Sequence, residues 1–199
     1  MTAALVLVDL QYDFCPGGAL AVRDGDATIA VANREMPRFD IVVATQDWHP
    51  ANHQSFASQH PEAKPYDLID LHGLPQVVWP PHCVQGTHGA ELHAGLDRAR
   101  ITHVSQKGTD AQIDSYSGFF DNGKRKATGL GDWLHSRGVT ELTVLGLATD
   151  YCVKFTALDA RALGFSVTLI AAGCRGVELA LGDGERAIAE MRAAGVAIA

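Results

Sequence analysis

A thiol set beside a carboxylate and an ammonium is equipped for acyl transfer, and Cys152, Asp9 and Lys107 offer those three groups. Cys152 falls just inside a predicted helix N-terminus, with Thr149 or Asp150 as its cap candidate. There the helix dipole and free N–H groups favour a thiolate and can hold an oxyanion when a carbonyl is attacked. A lone cysteine is more often a buried, inert thiol, so Cys152 reads as a nucleophile only in company. Asp9 can accept the thiol proton and pass it to a leaving amine, while Lys107 favours both ionised partners. A second set is Asp47-x-His49 with His82. Residues i and i+2 of an extended segment share a side, and two imidazoles with one carboxylate can hold one face of a divalent ion. The plainer alternative is a pair of hydrogen-bonded loop histidines. Phe14, Trp79 and Tyr116 could wall a pocket for a flat ring, or simply pack beneath loops.

These residues need elements to bring them together. Apolar runs of strand length recur at 4–8, 41–45, 101–105, 142–145 and 165–171, with a weaker one at 196–198. Runs so uniformly apolar suit strands buried on both faces of a parallel sheet. Helical candidates lie at 27–36, 129–137, 150–163 and 183–194, each stopping at Gly or Pro. The alternation predicts an α/β fold: a doubly wound, three-layer domain with a mostly parallel six-stranded sheet and helices on both faces. In such sheets ligands bind beyond the carboxyl ends of the strands. Asp9, Asp47-Trp48-His49, Lys107 and the stretch 146–152 all follow strand candidates, so one rim collects the chemistry.

At 199 residues the chain is expected to form one domain, at roughly 100–200 residues each. Within it, residues 46–95 form a long segment rich in Pro, His, Asn and Gln that is expected to bind metal and substrate. It holds His49, His53, His60, His72, His82 and His88, with His93 at its edge. His53, His60, His72, His88 and His93 read as surface residues. The net charge of −7 and the lack of a basic stripe argue against nucleic-acid binding. No run approaches a membrane span, and the apolar run at 3–8 lacks the flanks of a signal peptide. Four cysteines without paired spacing suit reduced thiols in the cytoplasm. No role attaches to Cys15, Cys83 or Cys174, although Cys83 adjoins a ligand candidate.

Several segments together resemble one family. Val8-Asp9-Leu10-Gln11-Tyr12-Asp13-Phe14, Asp47-Trp48-His49-Pro50, Trp79-Pro80-Pro81-His82-Cys83-Val84, Lys107-Gly108 and the stretch from Gly146 to Val153 are similar to the nicotinamidase/pyrazinamidase branch of the isochorismatase-like cysteine hydrolases. The match runs in order along nearly the whole chain, and Gly17–Val22 and Tyr116–Phe120 also fit. The resemblance implies a catalytic triad of Asp9, Lys107 and Cys152, and metal ligands Asp47, His49 and His82 for zinc, iron or manganese. It implies a cis peptide between Leu147 and Ala148, with Ala148 and Cys152 N–H groups at the oxyanion. Phe14, Leu20, Trp79, Tyr116, Leu147, Ala148 and Tyr151 are its implied substrate-binding residues. Some members take a fourth metal ligand from the stretch occupied here by His53-Gln54-Ser55-Phe56. The implied activity is hydrolysis of nicotinamide, and of pyrazinamide, to the acid and ammonia through a thioester. That activity serves NAD salvage in the cytoplasm, in an enzyme that is in some members a homo-oligomer. Two other readings stand beside it. One is a metal-free relative acting on isochorismate, a carbamoyl amine or a ureido compound, which bound metal would exclude. The other is a non-catalytic metal-binding or thiol-sensing module, which ammonia release would exclude.

Overall fold

The computed structural model describes residues 2–199. Its main sheet contains β1 (Thr2–Val8), β2 (Ile41–Asp47), β5 (His103–Lys107), β6 (Val139–Leu147), β7 (Ser166–Arg175) and β8 (Ala197–Ile198). The strands lie in the order β5-β2-β1-β6-β7-β8, and every pairing is parallel. The six apolar runs therefore are the six strands, with boundaries shifted by a few residues. Residues 4–8 of β1, at the centre, are fully buried, which is why that run shows no alternation of polar and apolar positions.

Four α-helices supply the outer layers: α1 (Ala27–Glu35), α2 (Leu130–His135), α3 (Lys154–Ala162) and α4 (Asp183–Ala193). Right-handed crossovers place α1, between β1 and β2, on one face, and α2, α3 and α4 on the other. The three-layer α/β architecture is as the sequence predicts. The order of the strands reverses direction at β1 and β6, which leave the sheet centre toward opposite edges. A crevice at that switch point lies beyond the carboxyl ends of β1, β2, β5 and β6.

Between β2 and β5 the chain makes no α-helix. It carries a small antiparallel hairpin of β3 (Leu68–Leu71) and β4 (Leu74–Val77), closed through His72 and Gly73, both at positive φ. Isolated bridges stitch the rest of the segment to itself, between His49 and Val84 and between Phe56 and Trp79. Among the described residues, no helix is long and apolar enough to cross a membrane.

Candidate active site

Sheet register brings the first charges together. Asp47 and Lys107, the last residues of β2 and β5, are direct cross-strand partners. Lys107 Nζ lies 2.5 Å from Asp47 Oδ1 and 2.9 Å from Asp9 Oδ2. It also donates to the Ser115 carbonyl at 3.0 Å and approaches Cys152 Sγ at 3.4 Å. All four of these side chains from Asp9, Asp47, Lys107 and Cys152 are buried. Charges removed from water in this way persist only when paired and hydrogen-bonded. Burial would lower the Lys107 pKa, but the two carboxylates reverse that and hold it well above the ordinary lysine value. The ammonium is permanent.

Asp9 leaves β1 in the left-handed region, at φ 49°, a conformation that is uncommon for a residue with a Cβ. Thr45 holds it there: the Asp9 N–H donates to Thr45 Oγ1 at 3.1 Å, and the Thr45 hydroxyl donates to Asp9 Oδ1 at 2.6 Å. Oδ2 faces the Lys107 ammonium at 2.9 Å, a contact that engages only part of its acceptor capacity. That oxygen keeps a lone pair for a proton. Burial raises the Asp9 carboxyl and Lys107 pulls it back in part, leaving it at about 6. Acceptor atoms of Asp9, Asp47 and Cys152 lie within 4.8 Å of one another.

Cys152 stands in a single π-helical turn, Thr149–Val153, that runs into α3. The turn begins at Ala148, with no side-chain cap, so neither Thr149 nor Asp150 plays the capping part the sequence suggests. Asp150 instead accepts the N–H groups of Val177 and Glu178 at 2.9 and 2.8 Å. The expectation of a resting thiolate also changes. Burial pushes the Cys152 thiol well above its ordinary value, Lys107 opposes that shift, and Asp9 and Asp47 add to it. The resting thiol is neutral and needs a base. The Leu147–Ala148 peptide is cis, as the resemblance implies. Gly146 precedes it at φ 135°, and a Cβ there would run into the backbone of Val8.

The second set also converges. His49 Nε2 lies 3.7 Å and His82 Nε2 3.9 Å from Asp47 Oδ2, the oxygen that Lys107 leaves free. Each imidazole turns its other nitrogen to a carbonyl: His49 Nδ1 to Gly108 O at 2.9 Å, His82 Nδ1 to Pro80 O at 2.8 Å. Such contacts fix the ring and the tautomer and leave Nε2 as a lone-pair donor. Gly108, at φ 63°, is required here, because a Cβ would overlap the His49 ring. Burial lowers His82 to about 4, which keeps it neutral. Burial would lower His49 too, but Asp47 more than offsets it and raises the group. Burial would raise Asp47, yet Lys107 and both imidazoles hold it well below the carboxylate range. Three buried donors with converging free lone pairs are what a divalent ion requires.

Beside both sets opens a pocket of about 340 Å³ including its mouth. Phe14, Leu20, Trp79, Tyr116, Ala148 and Tyr151 line it, with Asp47, His82 and Cys152 at its base. The Trp79 ring meets Tyr151 and Tyr116 edge-on, at centroid distances of 4.8 and 6.4 Å. Leu147 is the one implied pocket residue that does not line the cavity; its side chain is fully buried. Asp114 and Val177 line it without having been singled out. Of the five histidines read as surface residues, His53 is not one: it is completely buried, its ring 4.3 Å from that of His49. The tight Pro50–Phe56 turn folds it against His49, a placement that polarity alone does not reveal.

With known proteins, the chain matches the isochorismatase domain family over residues 3–199. It is 55% identical over 199 residues to the nicotinamidase of Escherichia coli, covering 98% of this chain and 93% of that protein. A solved nicotinamidase/pyrazinamidase of Acinetobacter baumannii superposes with a TM-score of 0.96 at 45% identity, covering 99% of this chain and 95% of that one. The pyrazinamidase of Pyrococcus horikoshii, solved in complex with zinc, superposes with a TM-score of 0.82 at 36% identity, covering 100% and 99%.

Proposed function

The chain belongs to the isochorismatase family, and from that premise we propose that it is a nicotinamidase: a metal-dependent cysteine hydrolase that converts nicotinamide to nicotinate and ammonia. The observation that carries the reading is the single buried cluster in which thiol, carboxylate and ammonium adjoin three converging metal donors. A hydrolase that used the thiol alone would have no need of the second set.

In the proposed mechanism Phe14, Trp79 and Tyr116 hold a flat ring, and the carboxamide faces Cys152. Asp47, His49 and His82 would hold the ion, which would supply Lewis acidity toward the ring nitrogen. Asp9 Oδ2 takes the proton from Sγ, and the sulfur forms a bond to the carboxamide carbon. The main-chain N–H groups of Ala148 and Cys152 receive the oxyanion. Asp9 then delivers its proton to the nitrogen as the C–N bond breaks, and ammonia leaves. A water molecule attacks the thioester with Asp9 as base. The C–S bond breaks, the proton returns to sulfur, and nicotinate departs. Lys107 keeps its charge throughout and holds Asp9 and Asp47 in register.

The similarity to a nicotinamidase/pyrazinamidase supports pyrazinamide as a second substrate, and the similarity to a zinc-bound pyrazinamidase supports zinc among the candidate ions. We place the activity in NAD salvage in the cytoplasm. The test is product analysis with metal determination on the purified protein. Ammonia and nicotinate in equal amounts, from protein carrying about one ion per chain, support the proposal. Turnover of isochorismate or a ureido compound, with none of nicotinamide, overturns it.

A further inference from the structure

Strand β4 is polar where it should be apolar. Its most buried residue is Gln76, only 2% exposed, whereas Leu74 and Val77 are half-buried and Pro75 is exposed. A buried amide is costly unless its hydrogen bonds are made. Gln76 makes them to the wall of the pocket. Its Nε2 lies 2.9 Å from Asp114 Oδ2 and 3.0 Å from the Tyr116 hydroxyl, besides 2.8 Å from its neighbour's carbonyl at Val77. Its Oε1 faces the Asn122 amide at 3.4 Å, which orients the head group with its donors toward the pocket wall. Asn122 in turn accepts the Tyr116 N–H at 2.9 Å and donates its own N–H to the Asp114 carbonyl at 2.8 Å. The two lining residues Asp114 and Tyr116 are thereby tied to the hairpin through one side chain. Trp79, which follows the hairpin, completes the tie by donating to the same phenol oxygen at 3.3 Å.

We infer that Gln76 is a specificity-determining positioning residue, through which the β3–β4 hairpin sets the aromatic wall of the pocket and its tolerance for substituents on the ring of a heteroaromatic amide. The inference rests on the proposed function. Gln76 touches neither Asp9, Lys107 nor Cys152, so it acts on binding and selectivity and not on bond breaking. Without its donors, the Tyr116 ring loses one of two anchors and the Asp114 carboxylate keeps only the Ser115 N–H at 2.7 Å.

The test compares Gln76→Leu and Gln76→Met with wild type, using nicotinamide and a ring-methylated nicotinamide, alongside nicotinate binding read from tryptophan fluorescence. Methionine keeps the length and has no donor, so it serves if the leucine variant folds poorly. Leu68→Ser, on the exposed strand of the same hairpin, is the control. The expected result is a KM for nicotinamide raised by about tenfold, the worth of one charge-assisted hydrogen bond. With it go weaker nicotinate binding, relaxed discrimination against the methylated amide, and little change in kcat. Wild-type KM and discrimination in a folded variant overturn the inference, and so does a matching loss in Leu68→Ser. If wild type itself releases no ammonia, the functional reading fails; if it does and the variants match it, this inference alone fails.

Discussion

In the proposed mechanism Asp9 and Cys152 divide the work according to their surroundings. Burial keeps the thiol protonated, and the same burial raises Asp9 to about 6, so the carboxylate is ionised at neutral pH yet basic enough to take a proton. Above about 6 the base is available; below it Asp9 is protonated and the thiol has nowhere to send its proton. The log of kcat/KM should therefore rise with pH through an apparent pKa near 6. Asp9→Asn should lose that limb together with nearly all activity, and a pH–rate profile checks both. Because the folded carboxyl binds its proton more tightly than the usual value of 3.8 allows, Asp9 taken alone costs stability as pH rises from about 4 to 6. Lys107 already limits that cost, since burial alone would raise the carboxyl further. Lys107→Ala leaves two buried carboxylates without their cation, and breaking a buried pair in this way costs about 3–5 kcal/mol; urea unfolding reads the loss.

At the scale of elements, the site depends on how β1 hands over to β2. The backbone ladder between them ends at the pair Leu7 and Ala44, because Asp9 turns away. Beyond that point the side chain of Gln11 continues the ladder. Its Oε1 accepts the Asp47 N–H, and its Nε2 donates to the carbonyls of Asp47 and Ala90, each at 2.8 Å. Gln11→Leu should therefore weaken metal binding through a displaced Asp47, with a stability loss of about 1–3 kcal/mol from the stranded polar groups. Metal titration of the variant against a coloured chelator measures the first effect. The strands, the helices and the convergence of the proposed site residues were legible in the sequence, since buried parallel strands read as apolar runs and all six candidates but His82 lie at or beyond the carboxyl end of one. Thr45, Gln11, Asp114 and Gln76 were not singled out for these contacts. Each acts through one partner on another element, and nothing local marks an ordinary Thr, Gln or Asp as such a partner. The helix start at Cys152 was legible too, but the π-turn that replaces a side-chain cap was not.

For the molecule as a whole, the proposed ligand set ties the last residue of β2, Asp47, to His49 and His82 of the long segment that follows it, so metal should stabilise the fold and not merely switch on the chemistry. Ligand present at about 100 times its Kd contributes about 2.7 kcal/mol, which for a chain of this size raises Tm by roughly 5–11 °C at about 2–4 °C per kcal/mol. Differential scanning of chelator-treated protein, before and after zinc is restored, should show that rise, and His82→Ala should not. The proposed account comes down to one sulfur atom at the end of β6. Ammonia release from nicotinamide by metal-loaded wild type and by metal-loaded Cys152→Ala tests it most directly. The account predicts steady release from the first and none above background from the second, with metal content unchanged; wild-type-like release from the alanine variant would contradict it.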